Sequence, residues 1–566
     1  MSQHVLIIGA VALGPKAACR FKRLEPDSVV TMIDKDTRIS YGGCGIPYFV
    51  SGDVSAASDL TTTSFHMVRD TAFFRDVKGV EVRTGLEALA IDRAARTVRV
   101  RDLASGREED LSYDKLVLAT GSAPRVLPVP GHDLPGVHVV ANLEAAESIR
   151  AAVTAGGVEK AVVIGAGFVG LEMAEALSDM WDVETTVIEA APRIMVNNLG
   201  PALSAMALKH ITGKGLTVRL SETVTAIEGQ GRVQRVVTDK RTIEADLVIM
   251  AAGVIPNSDL AARAGLAVSG RGGIVVDASM RTSDPDIFAG GDCVEVPHLV
   301  TGKPFSLPMG SMANRQGRVI GDNLAGGASV FRGAAGSFAI KLFERAVSGT
   351  GLTLEQAKRE GLDAITALVV QLDRAHFYPG KELMTLELVV ERGSRRVLGI
   401  QGMGASGDAL VGRIGAVAAM MPFSPTVENV RTLEYPYAPP YAAAMDVINT
   451  VGNVADNLLA GKTAGISPER FAALWEEGKC HFLDCRERAD AAPFLERFPD
   501  RWHNIPQGHL AGRLDEVPRD CDVLLVCNTG ARSYEAYTTL AHDGRTNVKN
   551  LFGGMAALRA LGLDPK

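Results

Sequence analysis

The chain opens on an apolar run, VLII (5–8), that breaks into a glycine-containing turn, GAVALG (9–14), and resumes as a small-residue segment, PKAACRF, whose spacing predicts a helix. A second apolar run, SVVTMI (28–33), stops at Asp34, twenty residues after Gly14. The succession returns at AVVIGAGFVGLEMAEAL (161–177), and TTVIE then closes on Glu189, nineteen residues after Gly170. Further on, ITALVVQL (365–372) and LMTLELVVE (383–391) alternate with segments of helical spacing. The chain finishes in another strand-and-helix stretch holding HFLDCRE (481–487), DVLLVCNTGARSYEAYTTL (522–540) and NVKNLFGGMAAL (547–558). Short continuous apolar runs between helices predict an α/β architecture of parallel strands covered on both faces.

A strand, a glycine-rich turn, a helix and a second strand ending on a carboxylate form the Rossmann-type opening of a dinucleotide site. In the first copy Gly9 serves the tight turn and Gly14 the close helix–strand packing, while Val11 stands where a second glycine is usual. Asp34, followed by Lys35, ends its second strand. The second copy is complete, with Gly165, Gly167 and Gly170. Each helix N-terminus offers backbone N–H groups to a pyrophosphate. A carboxylate at the position of Glu189 accepts hydrogen bonds from a ribose diol and repels a 2′-phosphate, which favours NADH; Arg193 nearby keeps NADPH open.

At 566 residues the chain has room for three to five domains. Hydrophobic residues at 46% and charged ones at 22% exclude a disordered or fibrous protein. The net charge of −7 argues against a nucleic-acid surface, so any phosphate ligand must be met by a local cluster. No apolar run reaches the roughly 18 residues of a membrane span. The apolar start lacks preceding basic residues and a following cleavage pattern, so it reads as a strand, and the protein is expected in the cytoplasm, with neither nucleic acid nor membrane as partner. Seven cysteines, an odd number spread over the chain, suit free or catalytic thiols better than a disulfide framework. No metal is called for.

Two further segments, LVLATGSAPR (116–125) and TSDPDIFAGGDC (282–293), lie between and after the glycine turns. All four in order resemble the signatures of the flavoprotein disulfide reductases with two dinucleotide-binding domains. The resemblance implies FAD in the first site, near Ala119, Thr120, Gly121, Gly291 and Asp292, with Asp292 on the ribityl chain, and NAD(P)H in the second. Members of the lipoamide type carry two cysteines separated by four residues. Here ISYGGCGIPYF (39–49) holds Cys44 alone, and it resembles the coenzyme A-disulfide reductase and NADH persulfide reductase branch. There one cysteine alternates between thiol and mixed disulfide with coenzyme A, so the missing second sulfur belongs to the substrate. Pro47 is tolerated in a first helical turn, which sets Cys44 at a helix N-terminus, where the dipole favours thiolate.

Coenzyme A carries phosphates, and CRFKR (19–23) supplies Arg20, Lys22 and Arg23. By the resemblance, Arg23 matches the basic residue of the coenzyme A pocket, Ser40 another contact, and Asn314 and Arg315 of MANRQGR (312–318) its pocket strip; Gly43 replaces an asparagine common in the family. HFYPGK (376–381) and EYPYAPPY (434–441) resemble paired tyrosine signatures whose hydroxyls reach the partner subunit's cysteine site, which implies a homodimer and roles for Tyr378 and Tyr437. A lysine after the second signature in some relatives is Met445 here. The C-terminal stretch resembles a rhodanese domain, with Cys527 as sulfur carrier. The six-residue loop from Cys527 to Arg532 has the sulfurtransferase length, and its inward N–H groups with Arg532 stabilise a thiolate or persulfide anion. Cys19, Cys293, Cys480, Cys485 and Cys521 read as packing residues.

The expected architecture is therefore α/β, with two Rossmann-like domains, an α+β dimerisation domain and a rhodanese domain. Its boundaries are 1–148 with 271–330 for FAD, 149–270 for NAD(P)H, 331–455 for dimerisation, 456–466 for a linker and 467–566 for the rhodanese unit. The expected activity is NADH-dependent reduction of coenzyme A disulfide, coenzyme A persulfide or polysulfide through Cys44, with sulfur handled by Cys527. Two rivals stand beside it: an NADH oxidase or peroxidase cycling Cys44 through sulfenic acid, and a redox-sensing binding protein.

Overall fold

The computed structural model describes residues 2–565, which divide into two compact units, Met1–Ala190 with Gly215–Ala334, and Ala191–Lys214 with Ala335–Lys566. The first unit holds two parallel five-stranded sheets. One runs in the order Ile287–Ala289, Lys115–Leu118, His4–Ile8, Val29–Asp34, Glu81–Thr84. Val5, Leu6 and Ile7 are fully buried in its central strand, as expected of a strand covered on both faces. The other runs Thr217–Leu220, Glu184–Glu189, Lys160–Ile164, Leu247–Met250, Val137–Val139. Each sheet carries a three-stranded antiparallel satellite, Leu86–Asp92 with Thr97–Asp102 and Glu108–Ser112, and Val224–Glu228 with Arg235–Thr238 and Thr242–Glu244.

Four helices of this unit carry the argument below: α1 (Leu13–Leu24), the short α2 (Ile46–Ser51), α3 (Phe168–Trp181) and α4 (Gly310–Leu324). α4 lies tight against α1 because its glycines leave no room for a side chain: a Cβ on Gly317 would come 2.9 Å from the Leu13 carbonyl oxygen, and one on Gly321 2.6 Å from Arg20 Cβ.

The second unit combines an antiparallel sheet with a parallel one. The antiparallel order is Phe338–Leu342, Arg345–Gly351, Val397–Gly404, Leu383–Glu391, Ala364–Leu372, with helices α5 (Gly407–Met420) and α6 (Val447–Leu459) packed against it. Helix Pro201–Gly213 groups here, its preceding Gly200 donating to Gln401 Oε1 at 3.2 Å. The parallel sheet of the C-terminal module runs Gly465–Ile466, Val548–Leu551, Val523–Val526, His481–Asp484, Trp502–Asn504. Phe471, Phe482, Leu524 and Trp502 fill one face of it; Leu483, Cys485, Leu525 and Ala536 fill the other. Helix α7 (Ala531–His542) follows the central strand, and α8 (Gly554–Leu561) closes the chain.

The module is seated on the antiparallel sheet. A Cβ on Gly553 would stand 2.9 Å from Val370 Cγ2 and 3.0 Å from Leu368 Cδ2. Asn457 of α6 donates to the Tyr534 hydroxyl at 3.1 Å, and Lys209 bonds the Arg559 carbonyl.

Candidate functional site

The two glycine turns are built alike. Gly9 has φ +111° and Gly165 +109°; Cβ atoms there would stand 2.1 Å from the Ala119 carbonyl oxygen and 2.4 Å from that of Ala251. On Gly14 and Gly170 they would meet the carbonyl oxygens of Gly9 and Gly165, both at 1.9 Å. Only glycine fits such approaches. The strand-end carboxylates tie the turns down, with Ala10 N donating to Asp34 Oδ2 at 2.7 Å and Ala166 N to Glu189 Oε2 at 2.8 Å. No side chain caps the first turn of α1 or α3, the arrangement in which a helix N-terminus can receive an anion. Around Gly167 a Cβ meets nothing; Val11 stands at the corresponding position of the first turn. Both turns fit dinucleotides.

Beside the first turn lies a polar cradle. Thr120 donates to the Asn257 carbonyl at 2.6 Å and Asn257 returns a bond to the Thr120 carbonyl at 2.8 Å, which fixes Gly121 at φ +66°. Ser122 donates to Asp292 Oδ2 at 3.0 Å, Gly291 N to Gln316 at 2.7 Å. Burial pushes the Asp292 carboxyl up, and the Ser122 bond offsets part of that. A half-satisfied buried carboxyl of this kind suits a polyhydroxyl chain such as the ribityl of FAD. Cys293, fully buried and bonded to the Gly290 carbonyl at 3.2 Å, is a packing residue.

Cys44 occupies a 3-10 turn, Gly43–Gly45, immediately before α2, with Pro47 in the first turn of that helix. Its thiol is exposed, and a Cβ on Gly310 would lie 3.5 Å from Sγ, which puts the sulfur against the first residue of α4. All seven cysteines are free. Gly45 permits the turn to sit on Leu60, whose Cδ2 a Cβ would approach to 2.4 Å, whereas a Cβ on the exposed Gly43 would make only an ordinary contact, 3.8 Å from Tyr41 Cε2. Helix α2 is pinned by two residues absent from the sequence expectations. Arg150 donates to the carbonyls of Phe49, Val54 and Ser55 at 3.0–3.2 Å with its guanidinium 4.5 Å from the Phe49 ring, and Trp181 donates to the Val50 carbonyl at 2.8 Å.

A third addition is chemical. Tyr48 Oη lies 3.5 Å from Glu172 Oε1 of α3. Burial pushes Glu172 up to about 7 against the pull of Tyr48, with Glu175 adding to it, and Tyr48 itself rises to about 12, burial first and Glu172 next. Tyr48 follows Cys44 by four residues, in the helix that begins just after the Cys44 turn.

Among the residues expected at a phosphate-bearing substrate, Arg20 is bound to Asp322, which also accepts from Ser329 at 2.9 Å; it holds α1 to α4 rather than facing outward. Arg23 and Arg315 are exposed, the latter 5.3 Å over the Phe331 ring, and Asn314 is exposed with its amide on the Gly310 carbonyl at 2.8 Å. Lys22 is spent on the Pro26 and Ser28 carbonyls. Ser40 is buried in the left-handed region at φ +50° and pins the turn through Ser40 N to the Ala10 carbonyl, 2.8 Å.

In the second unit Tyr378 is half-buried and Tyr437 exposed, on loops that are tied together. Ala375 N donates to the Pro439 carbonyl at 3.3 Å, and Gln371 to the Met445 carbonyl at 2.9 Å. The fully buried Arg413 of α5 holds both loops: it forks onto Asp446 (2.9 and 2.5 Å) and donates to the carbonyls of Asp373 (2.8 Å) and Tyr441 (3.3 Å). Its guanidinium lies 4.9 Å from the Tyr435 ring. Phe377, Phe423, Tyr441 and Met445 are exposed on this domain.

Cys527 caps the C-terminal end of strand Val523–Val526 and is almost wholly buried. Gly530 N donates to its Sγ at 3.1 Å and the buried Ser533 hydroxyl at 3.2 Å. The start of α8 receives the loop carbonyls, Met555 N on Cys527 and Ala556 N on Asn528, both at 2.9 Å. Arg532 stands 4.0 Å from Asp490. The loop is thus a cup of donors around one sulfur, suited to an anionic sulfur species.

Comparison with known proteins gives matches to all three parts of the chain. The family model "pyridine nucleotide-disulphide oxidoreductase" matches residues 3–305, its dimerisation domain 338–447, and a rhodanese-like domain 467–561. The chain is 33% identical over 454 residues to the NAD(P)H coenzyme A polysulfide/persulfide reductase of Pyrococcus horikoshii, covering 80% of this chain and 98% of that one. A NAD-dependent persulfide reductase from A. fulgidus superimposes with a TM-score of 0.92 at 40% identity, over 98% of this chain and 99% of that one. The reduced Bacillus anthracis protein described as CoADR-RHD gives 0.90 at 29% identity, over 99% and 98%.

Proposed function

The chain belongs to the pyridine nucleotide-disulphide oxidoreductase family, and from that membership we propose that it carries electrons from NADH to a sulfur–sulfur bond outside the polypeptide, in coenzyme A disulfide, coenzyme A persulfide or polysulfide. The observation that carries this reading is Cys44, exposed, free of any disulfide and set against α4, ten residues beyond the strand-end carboxylate Asp34 of the first dinucleotide turn. FAD, held by the turn at Gly9 and Gly14, by Asp34 and by the Thr120, Gly121 and Asp292 cradle, supplies the two-electron chemistry that links nicotinamide to sulfur. Gly165, Gly167, Gly170 and Glu189 hold the nicotinamide dinucleotide, and the Glu189 carboxylate selects NADH by repelling a 2′-phosphate.

The work of the chain's own residues follows. The Cys44 thiolate attacks one sulfur of the incoming bond; that bond breaks, one thiol or hydrosulfide leaves, and a mixed disulfide remains on Cys44. An electron pair originating in NADH returns Cys44 to thiolate and releases the second thiol. Arg23, Asn314 and Arg315 offer the exposed cations and amide for coenzyme A phosphates and pantetheine, and the exposed Gly43 puts no side chain in the way of the arm. The protein works as a homodimer in which Tyr378 and Tyr437 complete the partner's cysteine site and protonate the leaving thiolate. The match to a dimerisation domain and the exposed aromatic residues beside Tyr437 support this. Cys527 receives or delivers sulfane sulfur within its cup of donors.

Steady-state turnover of NADH with coenzyme A disulfide, coenzyme A persulfide, peroxide and oxygen tests the reading. The sulfur substrates are expected to be fastest. Fastest turnover with peroxide or oxygen would replace it by an oxidase cycling through sulfenic acid, and turnover no faster than that of free flavin with any acceptor would leave a binding protein.

A further inference from the structure

The C-terminal module contains a second thiol that neither the motif at Cys527 nor the proposed reaction uses. Strands His481–Asp484 and Val523–Val526 run parallel in the register His481↔Val523 through Asp484↔Val526. The ladder continues one step further, since Cys485 N donates to the Val526 carbonyl at 2.8 Å, the bond that in a parallel pair belongs to residue 485 opposite residue 527. Adjacent strands lie about 4.8 Å apart, within the separation of about 4.4–6.8 Å between Cα atoms that a disulfide bridges.

The two side chains also share a face. Cys485 packs with Leu483, Leu525 and Ala536, the last contributed by α7. Cys527 Sγ accepts from Ser533 in the first turn of that same helix. Cys485 is 0% exposed and Cys527 1%, so both thiols are shielded from solvent beside one another. Burial pushes the Cys485 thiol up, with the neighbouring Cys527 thiol next, while Arg532 pulls it down. At neutral pH it therefore holds its proton.

We propose that Cys485 is the resolving thiol of Cys527, forming an internal disulfide with it and expelling the carried sulfur as hydrosulfide. In the balanced step the inner sulfur of the Cys527 persulfide bonds to Cys485 and the inner–outer S–S bond breaks. The Cys485 proton leaves with the outer sulfur as HS⁻. The outer sulfur is reduced by two electrons and the two cysteines are together oxidised by two. An external thiol, two equivalents per disulfide, restores the pair. The module thereby unloads without a separate acceptor. The proposal rests on the reading of Cys527 as a carrier of sulfane sulfur.

The test uses full-length holoenzyme in the Cys44→Ser background, incubated with inorganic polysulfide without NADH, alkylated, digested and analysed without reduction. The expected result is a linked pair of peptides joining 485 to 527, with hydrosulfide released. Cys485→Val, and Cys485→Ala should that variant fold poorly, should show no linked pair, Cys527 heavier by one sulfur atom, and hydrosulfide release slower by at least about tenfold, the loss expected when an intramolecular partner is removed. A Cys527 persulfide that persists unlinked in the parent protein, or equal release from the Cys485 variants, overturns the proposal and leaves the carrier reading standing. Failure of any of these proteins to load sulfur on Cys527 overturns both.

Discussion

Tyr48 and Glu172 face each other between α2 and α3, phenol oxygen 3.5 Å from carboxyl oxygen, with the tyrosine four residues beyond Cys44. Burial raises Glu172 from 4.5 to about 7. A carboxyl raised in the folded protein contributes its full stability below about 4.5, where both states hold the proton. That contribution is lost as the pH climbs from about 4.5 through about 7, because over this span the unfolded chain releases the proton that the folded protein still holds. Glu172→Gln keeps the neutral shape. It should flatten the dependence of Tm on pH between these two values and raise stability at pH 8 by about 1–3 kcal/mol, allowing for partial exposure. Melting curves of the two holoenzymes across that range decide it; identical slopes would show that Glu172 ionises as an ordinary glutamate.

Cys44→Ser should retain bound FAD, since no cradle residue is touched, and abolish reduction of every disulfide and persulfide. Cys527→Ser should leave coenzyme A disulfide turnover intact and slow transfer from a persulfide donor. Flavin absorbance of the purified variants and turnover with each substrate check both, and full disulfide turnover by the first variant would remove Cys44 from the reaction.

Two glycines of the second turn should separate stability from binding. Gly170→Ala forces a methyl to within 1.9 Å of a carbonyl oxygen and should cost about 1–3 kcal/mol or more through overpacking. Gly167→Ala meets nothing in the protein and should leave Tm nearly unchanged; on the proposed reading it fills the space for the pyrophosphate and should raise KM for NADH. Calorimetry and NADH titration read the two effects separately.

Arg413→Lys keeps a cation opposite Asp446 but cannot reach the Asp373 and Tyr441 carbonyls together. If the arginine acts by holding the two tyrosine loops, coenzyme A disulfide turnover should fall at least tenfold while NADH-driven reduction of ferricyanide persists. The loss should shrink in a Tyr378→Phe, Tyr437→Phe background, where there is nothing left to position. Equal losses in both backgrounds would assign Arg413 to general stability.

Ser533→Ala removes one of the two donors on Cys527 Sγ. A hydrogen bond of this type contributes about 1 kcal/mol, so sulfur transfer from a persulfide donor should slow several-fold with the fold intact. An unchanged rate would mean that the Gly530 N–H suffices.

What the sequence made legible was local. The glycine turns, their strand-end carboxylates and the loop from Cys527 to Arg532 are each set by a few consecutive residues whose spacing carries the geometry. What escaped it joins residues far apart. Nothing near Tyr48 signals Glu172, and nothing near Phe49 signals Arg150, because each partner arrives from another strand–helix unit. Arg20 sits in a basic run that reads as an anion site, yet Asp322, brought beside it by the glycine-lined contact of α1 with α4, takes its guanidinium. Cys485 reads as packing because its neighbour across the sheet is 42 residues away in sequence and only the strand register reveals it.

Gly553 has no side chain where Leu368 and Val370 press against it, and Gly554 next door has none where the Cys527 loop passes, its absent Cβ falling 2.3 Å from the Cys527 carbonyl oxygen. Two consecutive residues thus act as a shim between the antiparallel sheet and the sulfur cup. Excising the last hundred residues as a free-standing enzyme would strip that backing, and grafting them onto another scaffold would need a matching aliphatic shelf before the cup kept its shape.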